Sequence, residues 1–162
     1  MNIFEFLDKN GIAYKRFDHP AVFTCEEADR LVPPMPGVKS KNLFVRDRRG
    51  RRHFLVIVPA EKIVDLKELS RELSAPGLSL ASRERLKKHL DVEPGSVSFL
   101  SIYNDLKCKV KVIFDNRIWS ADYLQCHPLI NTSTLLIGHA GVVSMLEVTN
   151  HEYHTLEVPE RR

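Results

Sequence analysis

The sequence predicts an α+β fold in which a mixed, mostly antiparallel sheet is flanked by helices. Short segments that alternate apolar and polar residues, as strands do, are interspersed with segments of helical periodicity. Turn residues separate most of these segments. The chain has 162 residues, of which 43% are apolar, so it can bury one core of ordinary size. We therefore expect residues 1–162 to form a single domain.

The first part of the chain alternates helix and strand patterns. Residues 3–10 place apolar side chains at helical spacing and end at Gly11, which suits the left-handed position after a helix. A strand pattern follows at residues 13–17. Thr24 is expected to begin a second helix, to about residue 31, because its hydroxyl and the carboxylate of Glu27 fit a capping box.

The next segment is predicted to be a β-hairpin with a polar entrance. Residues 42–46 and 53–59 have strand patterns, and turn residues join them at 47–50. Prolines and a glycine at 33–37 break any preceding helix. Residues 39–41 are therefore expected to lie on a loop that can approach a ligand.

The rest of the chain continues the mixture of helices and strands. Asp65 is the expected cap of a third helix, and an Asp-Asn turn at 115–116 is expected to join two strands. Further helices are predicted at 82–90 and 140–148, and strands at 79–81, 110–114, 117–119, 134–137 and 155–158.

Charge is unevenly distributed along a chain whose net charge is only +3. Five arginines crowd the tip of the predicted hairpin, and three lysines form a second group near residue 109. Two interpretations stay open, a solvated surface or a footprint for a phosphate backbone. The arginines are Arg46, Arg48, Arg49, Arg51 and Arg52.

Cysteine usage and hydropathy point to the cytoplasm and away from a membrane. Cys25, Cys108 and Cys126 are odd in number and widely spaced, so neither disulfides nor a structural zinc site is expected. The first residues lack the basic region of a signal peptide. No apolar run approaches the roughly 20 residues that span a bilayer.

The common hydrolase and metal motifs are missing, which narrows the chemistry. There is no G-x-S-x-G, H-E-x-x-H, P-loop or CxxC sequence. Cys126 precedes His127, but neighbours on a strand face opposite ways, which disfavours a thiol–imidazole pair. His127 is either a hydrogen-bonded turn residue or a substrate contact. Polar clusters that include turn residues remain at 41–42, 94–98, 102–105 and 127–134.

The order of these motifs resembles the YbaK/prolyl-tRNA-synthetase-associated domain family, and within it the free-standing Ala-tRNA(Pro) deacylases. The resemblance covers residues 3–158. It implies an α+β editing domain that hydrolyses the ester between a wrong amino acid and the 3′ end of proline tRNA, without a cofactor or a metal. The matching pieces are the helix at Thr24, the segments 41–44, 65–67, 94–98, 104–105 and 110–115, and His127-Pro128-Leu129 with Asn131 and Thr134.

The resemblance also implies roles for individual residues. An aminoacyl ester is activated, so a positioned water molecule and backbone amides can suffice for its hydrolysis. The expected amides belong to residues 95–98, which we call the glycine loop. A neighbouring ribose hydroxyl is expected to activate the water. Without the resemblance, Lys41 would be an ordinary surface lysine and the loop a simple turn. The expected catalytic residues are Lys41, Asn42, Gly95, Ser96 and His127; the substrate contacts are Thr24, Ser98, Asn104, Asn131 and Thr134; the tRNA contacts are the five arginines.

The sequence constrains the identity of the substrate and of the partners less than it constrains the family. Many family members have proline where this chain has Phe99, and that proline is commonly missing in the alanine-specific branch. Serine, threonine or cysteine esters stay open as substrates, as do a non-catalytic tRNA-binding module and a small-molecule hydrolase. The expected partner is the acceptor end of proline tRNA, with prolyl-tRNA synthetase or an elongation factor as transient partners of a monomer.

Overall fold

A computed structural model describes residues 1–22, 24–31 and 34–162, with the backbone alone at positions 25, 28 and 29. The predicted break at Pro33 and the side chain of Cys25 therefore lie outside the described part. The strands are β1 (Lys15–Asp18), β2 (Ser40–Arg46), β3 (His53–Pro59), β4 (Ser79–Leu80), β5 (Val110–Asp115), β6 (Tyr123–Cys126), β7 (Ser133–Gly138) and β8 (Tyr153–Leu156). The helices are α1 (Ile3–Lys9), α2 (Cys25–Leu31), α3 (Leu66–Glu72), α4 (Arg83–Leu90), α5 (Asn116–Trp119) and α6 (His139–Thr149), with 3₁₀ turns at Pro94–Ser96 and Phe99–Asn104.

The strands form two sheets. The larger has the order β4-β2-β3-β5-β8, with β2 antiparallel to β3 and β4, and β5 parallel to β3 and β8. The smaller is antiparallel, with the order β1-β7-β6. The α+β class with mostly antiparallel pairing is thus confirmed, and its strands divide between two sheets.

A short parallel bridge joins the two sheets. Val38, just before β2, pairs with Leu124 in β6. The amide of Val38 donates to the carbonyl of Tyr123, and the amide of Gln125 donates to the carbonyl of Val38, both at 3.1 Å. The hydroxyl of Ser40 donates to the Gln125 carbonyl at 3.1 Å. The start of β2 therefore runs alongside the end of β6.

The larger sheet is buried on both faces, which explains why β3 is a continuous apolar run. One face, with Phe44, Leu55 and Phe114, packs in a core with α1, α4 and the smaller sheet. The other face, with Val45 and Phe54, packs against α3. Both faces of a central strand such as β3 are covered, so its apolar residues do not alternate with polar ones.

Several predicted boundaries differ from the structure. Ser40 and Lys41 belong to β2 and not to a preceding loop. The prediction of a strand at 117–119 is wrong, because the carboxylate of Asp115 accepts from the amide of Arg117 at 2.9 Å and caps the short helix α5. Strand β6 and the 3₁₀ turn Phe99–Asn104 were not expected.

Two polar clusters hold the larger sheet at its ends. Buried Lys62 donates to Asp115 at 2.6 Å and to the carbonyl of Val158 at 2.8 Å, which fixes the C-terminal segment. At the hairpin end, Arg85 of α4 donates to the Gly50 carbonyl at 3.1 Å and to Nε2 of His53 at 3.0 Å. Within the described ranges, no helix has both the length and the apolar character of a membrane span.

We expect the fold to lose stability in acid through His53. Burial, with smaller effects of His89 and Arg85, lowers the pKa of His53 from 6.5 to about 4. The unfolded chain binds a proton at the ordinary pKa, so the contribution of neutral His53 is complete above pH 6.5 and is lost as the pH falls toward 4. The shift corresponds to about 3 kcal/mol.

Urea unfolding at neutral pH and near pH ~5 measures this loss. His53→Gln keeps an acceptor for Arg85 without the titrating ring, so its free energy of unfolding should depend less on pH. His154→Gln, at an exposed position of β8, is the matched control and should follow the wild type. An unchanged pH dependence in His53→Gln would contradict the assignment.

Candidate active site

The bridge between the sheets brings the start of β2 to the end of β6. Val38 and Leu124 are paired in parallel. Continuing this pairing by three residues sets Lys41 level with His127, the residue that directly follows β6. Side chains alternate between faces with a period of two, so these two share one face. The register that pairs Cys126 with Leu135, continued by one residue, sets His127 opposite Thr134. Lys41, His127 and Thr134 thus form a row across neighbouring strands, which we call the outer row.

Lys41 supplies a positive charge at one end of the outer row. It lies opposite Val58 in β3 and is half-buried. Its ammonium group makes no hydrogen bond or ion pair with a residue that the structure describes. Glu61 lies nearby: its own backbone amide and Arg117 chiefly lower the pKa of its carboxyl, and Lys41 adds to the effect. The carboxylate of Glu61 is itself paired with Arg117 at 2.7 Å.

His127 is a neutral imidazole in which one of the two ring nitrogens faces a backbone acceptor. Its Nδ1 lies 3.5 Å from the carbonyl of Ser133. A carbonyl only accepts, so Nδ1 carries the hydrogen and Nε2 keeps a lone pair. Burial lowers the pKa of His127, and nearby His19 lowers it further, while the Ser133 contact acts against them. The ring is therefore neutral at pH 7.

Cys126 does not serve as a nucleophile. The side chain is buried, and burial raises the pKa of its thiol to about 12. A protonated thiol is a poor nucleophile. Among the described residues, no three His, Cys, Asp or Glu side chains gather as a metal site requires.

Sequence reasoning missed His19, which lies beside the outer row. Its Nε2 is 2.9 Å from Oγ1 of Thr134, and its Nδ1 is 2.8 Å from the carbonyl of Pro20. The carbonyl requires the hydrogen on Nδ1, so the Thr134 hydroxyl donates to Nε2. The available signal was the repeated His-Pro pair, at 19–20 and again at 127–128.

The glycine loop is tied to His127 through Ser98. The hydroxyl of Ser98 donates to the carbonyl of His127 at 2.6 Å, and its backbone amide donates to Ser101 at 3.0 Å. Gly95 is exposed in the 3₁₀ turn. The amide of Ser96 donates to the Glu93 carbonyl at 2.9 Å, so it is not free for an oxyanion.

Thr24 and Asn131 lie close together near the start of α2. Thr24 caps this helix, because its hydroxyl accepts from the amide of Glu27 at 3.1 Å. Two residues earlier, the amide of Val22 donates to the carbonyl of Asn131 at 3.1 Å. Thr24 is exposed and Asn131 is half-buried, which suits a pocket rim.

Two predicted site residues are placed away from the outer row. Asn42 follows Lys41 on β2 and therefore faces the other way, with its Oδ1 buried and without a partner among the described residues. Such an acceptor costs about 1–3 kcal/mol. Asn104 lies at the far end of a six-residue 3₁₀ turn, roughly 12 Å from Ser98, and its amide donates to the carbonyl of Leu90 at 2.8 Å.

The five arginines divide into two groups. Arg46 donates to the carbonyls of Asp47 and Arg48. Arg52 donates to the carbonyls of Ser74 and Leu73 and stacks on Phe54. Arg48, Arg49 and Arg51 are exposed at the hairpin tip. The tip lies at the other end of β2 from Lys41, roughly 17 Å away.

Comparison with known proteins gives the family. The family model described as aminoacyl-tRNA editing domain matches residues 19–144. The prolyl-tRNA editing protein ProX of Acetoanaerobium sticklandii is 30% identical over 152 residues, covering 94% of this chain and 93% of that protein. Prolyl-tRNA synthetase associated domain-containing protein 1 of Danio rerio is 38% identical over 149 residues, covering 91% and 80%.

A solved structure shows the same fold at lower sequence identity. It is described as that of "a putative trans-editing enzyme for prolyl tRNA synthetase" and superposes with a TM-score of 0.71 at 16% identity, covering 96% of this chain and 92% of that one. The chain therefore belongs to the aminoacyl-tRNA editing domain family and is an aminoacyl-tRNA deacylase, a hydrolase of carboxylic ester bonds.

Proposed function

We propose that the protein is a free-standing editing enzyme that hydrolyses mischarged proline tRNA, most of all Ala-tRNA(Pro). The observation that carries the proposal is the outer row, in which an unpaired ammonium and a neutral imidazole lone pair share one face beside the glycine loop. The ProX name of a relative, and the synthetase-associated name of another, support proline tRNA as the substrate.

The chemistry needs positioning more than a strong nucleophile. Water adds to the carbonyl carbon of the ester, the bond from that carbon to the ribose oxygen breaks, and the ribose oxygen takes the proton that the water loses. Lys41 stabilises the negative charge of the terminal phosphate or of the developing oxyanion. His127 contacts the bound substrate through its Nε2 lone pair, and the neighbouring ribose hydroxyl activates the attacking water.

The glycine loop acts by holding its backbone close to the ester. Gly95 has no side chain to keep a ligand away, and Ser98 fixes the loop to His127. Thr24 and Asn131 form the rim over which the acceptor end enters. We propose that Asn42 and Asn104 support the site from behind, since their amides lie on other surfaces.

The setting of the reaction follows from its substrate. We propose that the enzyme acts in the cytoplasm, where charged tRNA is used in translation, and that it is a monomer of one domain. Prolyl-tRNA synthetase and an elongation factor, which also hold charged tRNA, are the proposed transient partners.

The wild-type protein should deacylate Ala-tRNA(Pro) at least ~100-fold faster than Pro-tRNA(Pro), because a small pocket excludes the larger ring more effectively than it attracts a methyl group. Release of labelled amino acid measures the rate. Cleavage of seryl, threonyl or cysteinyl esters in place of the alanyl ester would be compatible with the family assignment but would overturn the proposed substrate. Cleavage of none of these esters would contradict the proposed function.

Replacing Lys41 by alanine should lower the rate about 10²–10³-fold, because a preorganised charge at the ester is lost. Lys67→Ala, at an exposed position on α3, removes the same charge elsewhere and should leave the rate unchanged. Circular dichroism confirms that both variants fold. A Lys41→Ala variant with the wild-type rate would remove Lys41 from the mechanism.

The exposed arginines should affect affinity and not chemistry. Arg49→Ala with Arg51→Ala should raise KM for tRNA, leave kcat unchanged and reduce the slope of log affinity against log salt by about 2, close to one for each lost phosphate contact. The matched control is Lys9→Ala with Lys15→Ala, which removes two charges beside the smaller sheet. Equal effects of the two double variants would show that the hairpin tip is not a specific contact.

A further inference from the structure

The hydrogens of His127, Thr134 and the neighbouring His19 are already used within the protein. Nδ1–H of His127 is directed at the Ser133 carbonyl, and Nδ1–H of His19 at the Pro20 carbonyl. The hydroxyl hydrogen of Thr134 is donated to Nε2 of His19. What remains for a ligand is lone pairs, on Nε2 of His127 and on Oγ1 of Thr134.

A surface that offers only lone pairs requires a hydrogen-bond donor from its ligand. The ester carbonyl and the phosphate of a charged tRNA end have no hydrogen to give and would find no donor there. Lys41, at the other end of the row, offers only donors. An α-ammonium group has three donors and no acceptor, so it complements His127 and Thr134.

Burial increases the importance of this match. Thr134 is buried and His127 is mostly buried, so water competes poorly for their lone pairs. Hydrogen bonds from a charged donor are about twice as strong as neutral ones. Histidine remains an acceptor because burial keeps it neutral.

We propose that His127 and Thr134 recognise the free α-ammonium group of the aminoacyl ester, with His19 as the positioning residue that orients the Thr134 hydroxyl. The inference rests on the proposed function and specifies its substrate class: esters of amino acids with a free amine are accepted, and N-acylated esters, such as those of peptidyl-tRNA, are rejected. The ester is then held with its ammonium toward the histidines and its negative groups toward Lys41.

The first test compares Ala-tRNA(Pro) with N-acetyl-Ala-tRNA(Pro). The wild type should hydrolyse the free-amine ester at least ~100-fold faster, since acylation removes the charge and leaves buried acceptors unpaired. Equal hydrolysis of both esters would overturn the inference while leaving the proposed function intact.

Binding of stable analogues tests the inference independently of catalysis. The probes are 3′-alanylamino-3′-deoxyadenosine and its lactyl counterpart, in which a hydroxyl replaces the amine. The alanyl analogue should bind at least ~10-fold more tightly by calorimetry, as the loss of one charged hydrogen bond predicts. Equal affinities would overturn the inference even if no ester were hydrolysed.

Variants of Thr134 and His19 separate recognition from folding. Thr134→Ser keeps the hydroxyl and should keep the preference for the free amine, whereas Thr134→Val should raise KM for Ala-tRNA(Pro) and reduce that preference about tenfold, with a smaller change in kcat. His19→Phe removes the acceptor of the Thr134 hydroxyl and should reduce the preference for the free amine. His19→Gln retains an acceptor and should restore that preference. Retention of the full preference by Thr134→Val would overturn the assignment of Thr134.

Discussion

The site depends on the backbone bridge between residue 38 and strand β6. Lys41 lies in β2 of the larger sheet and His127 directly follows β6 of the smaller sheet, and the pairing of Val38 with Leu124 joins the two sheets at this point. The buried amide of Gln125 strengthens the junction by facing the carbonyls of residues 35–37 at 3.1–3.4 Å. Gly37 is required there, since it adopts a φ of +96° and an added Cβ would lie 2.9 Å from Cδ1 of Leu136. A local distortion at this point would separate the two groups without unfolding either sheet.

Burial decides which of the reactive groups near the junction can act. It keeps the thiol of Cys126 protonated and the imidazole of His127 neutral, because a charged form would lose its hydration. Lys41 is only half-buried and makes no hydrogen bond or ion pair with a described residue. The candidate site therefore combines a half-buried cation with a neutral acceptor, which suits the proposed stabilisation of an activated ester better than attack by a side chain.

Local signals in the sequence predicted most of the fold, and long-range pairing explains what they missed. The caps at Thr24 and Asp65, the helix predicted at 82–90 and the apolar run of β3 lie where they were expected, because each depends on a few neighbouring residues. Strand β6 could not be recognised in this way, since it is defined by partners near residue 38 and in β7. The same limit applies to the site: Lys41 and His127 were predicted through the family resemblance, and their common face follows only from the register.

The order of chemical groups along the protein matches the order along a charged tRNA end. Exposed arginines at the hairpin tip suit the phosphates of the acceptor stem, the ammonium of Lys41 suits the terminal phosphate and the ester, and the acceptors of His127 and Thr134 suit the α-ammonium. In the proposed complex each contact would fix one part of the substrate, so that the ester carbonyl is oriented before water attacks. Orientation of this kind supplies several kcal/mol of a barrier, up to ~7–11 kcal/mol in the best intramolecular cases. A site built in this way needs no strong base of its own, which accounts for a deacylase whose sequence contains none of the common hydrolase motifs.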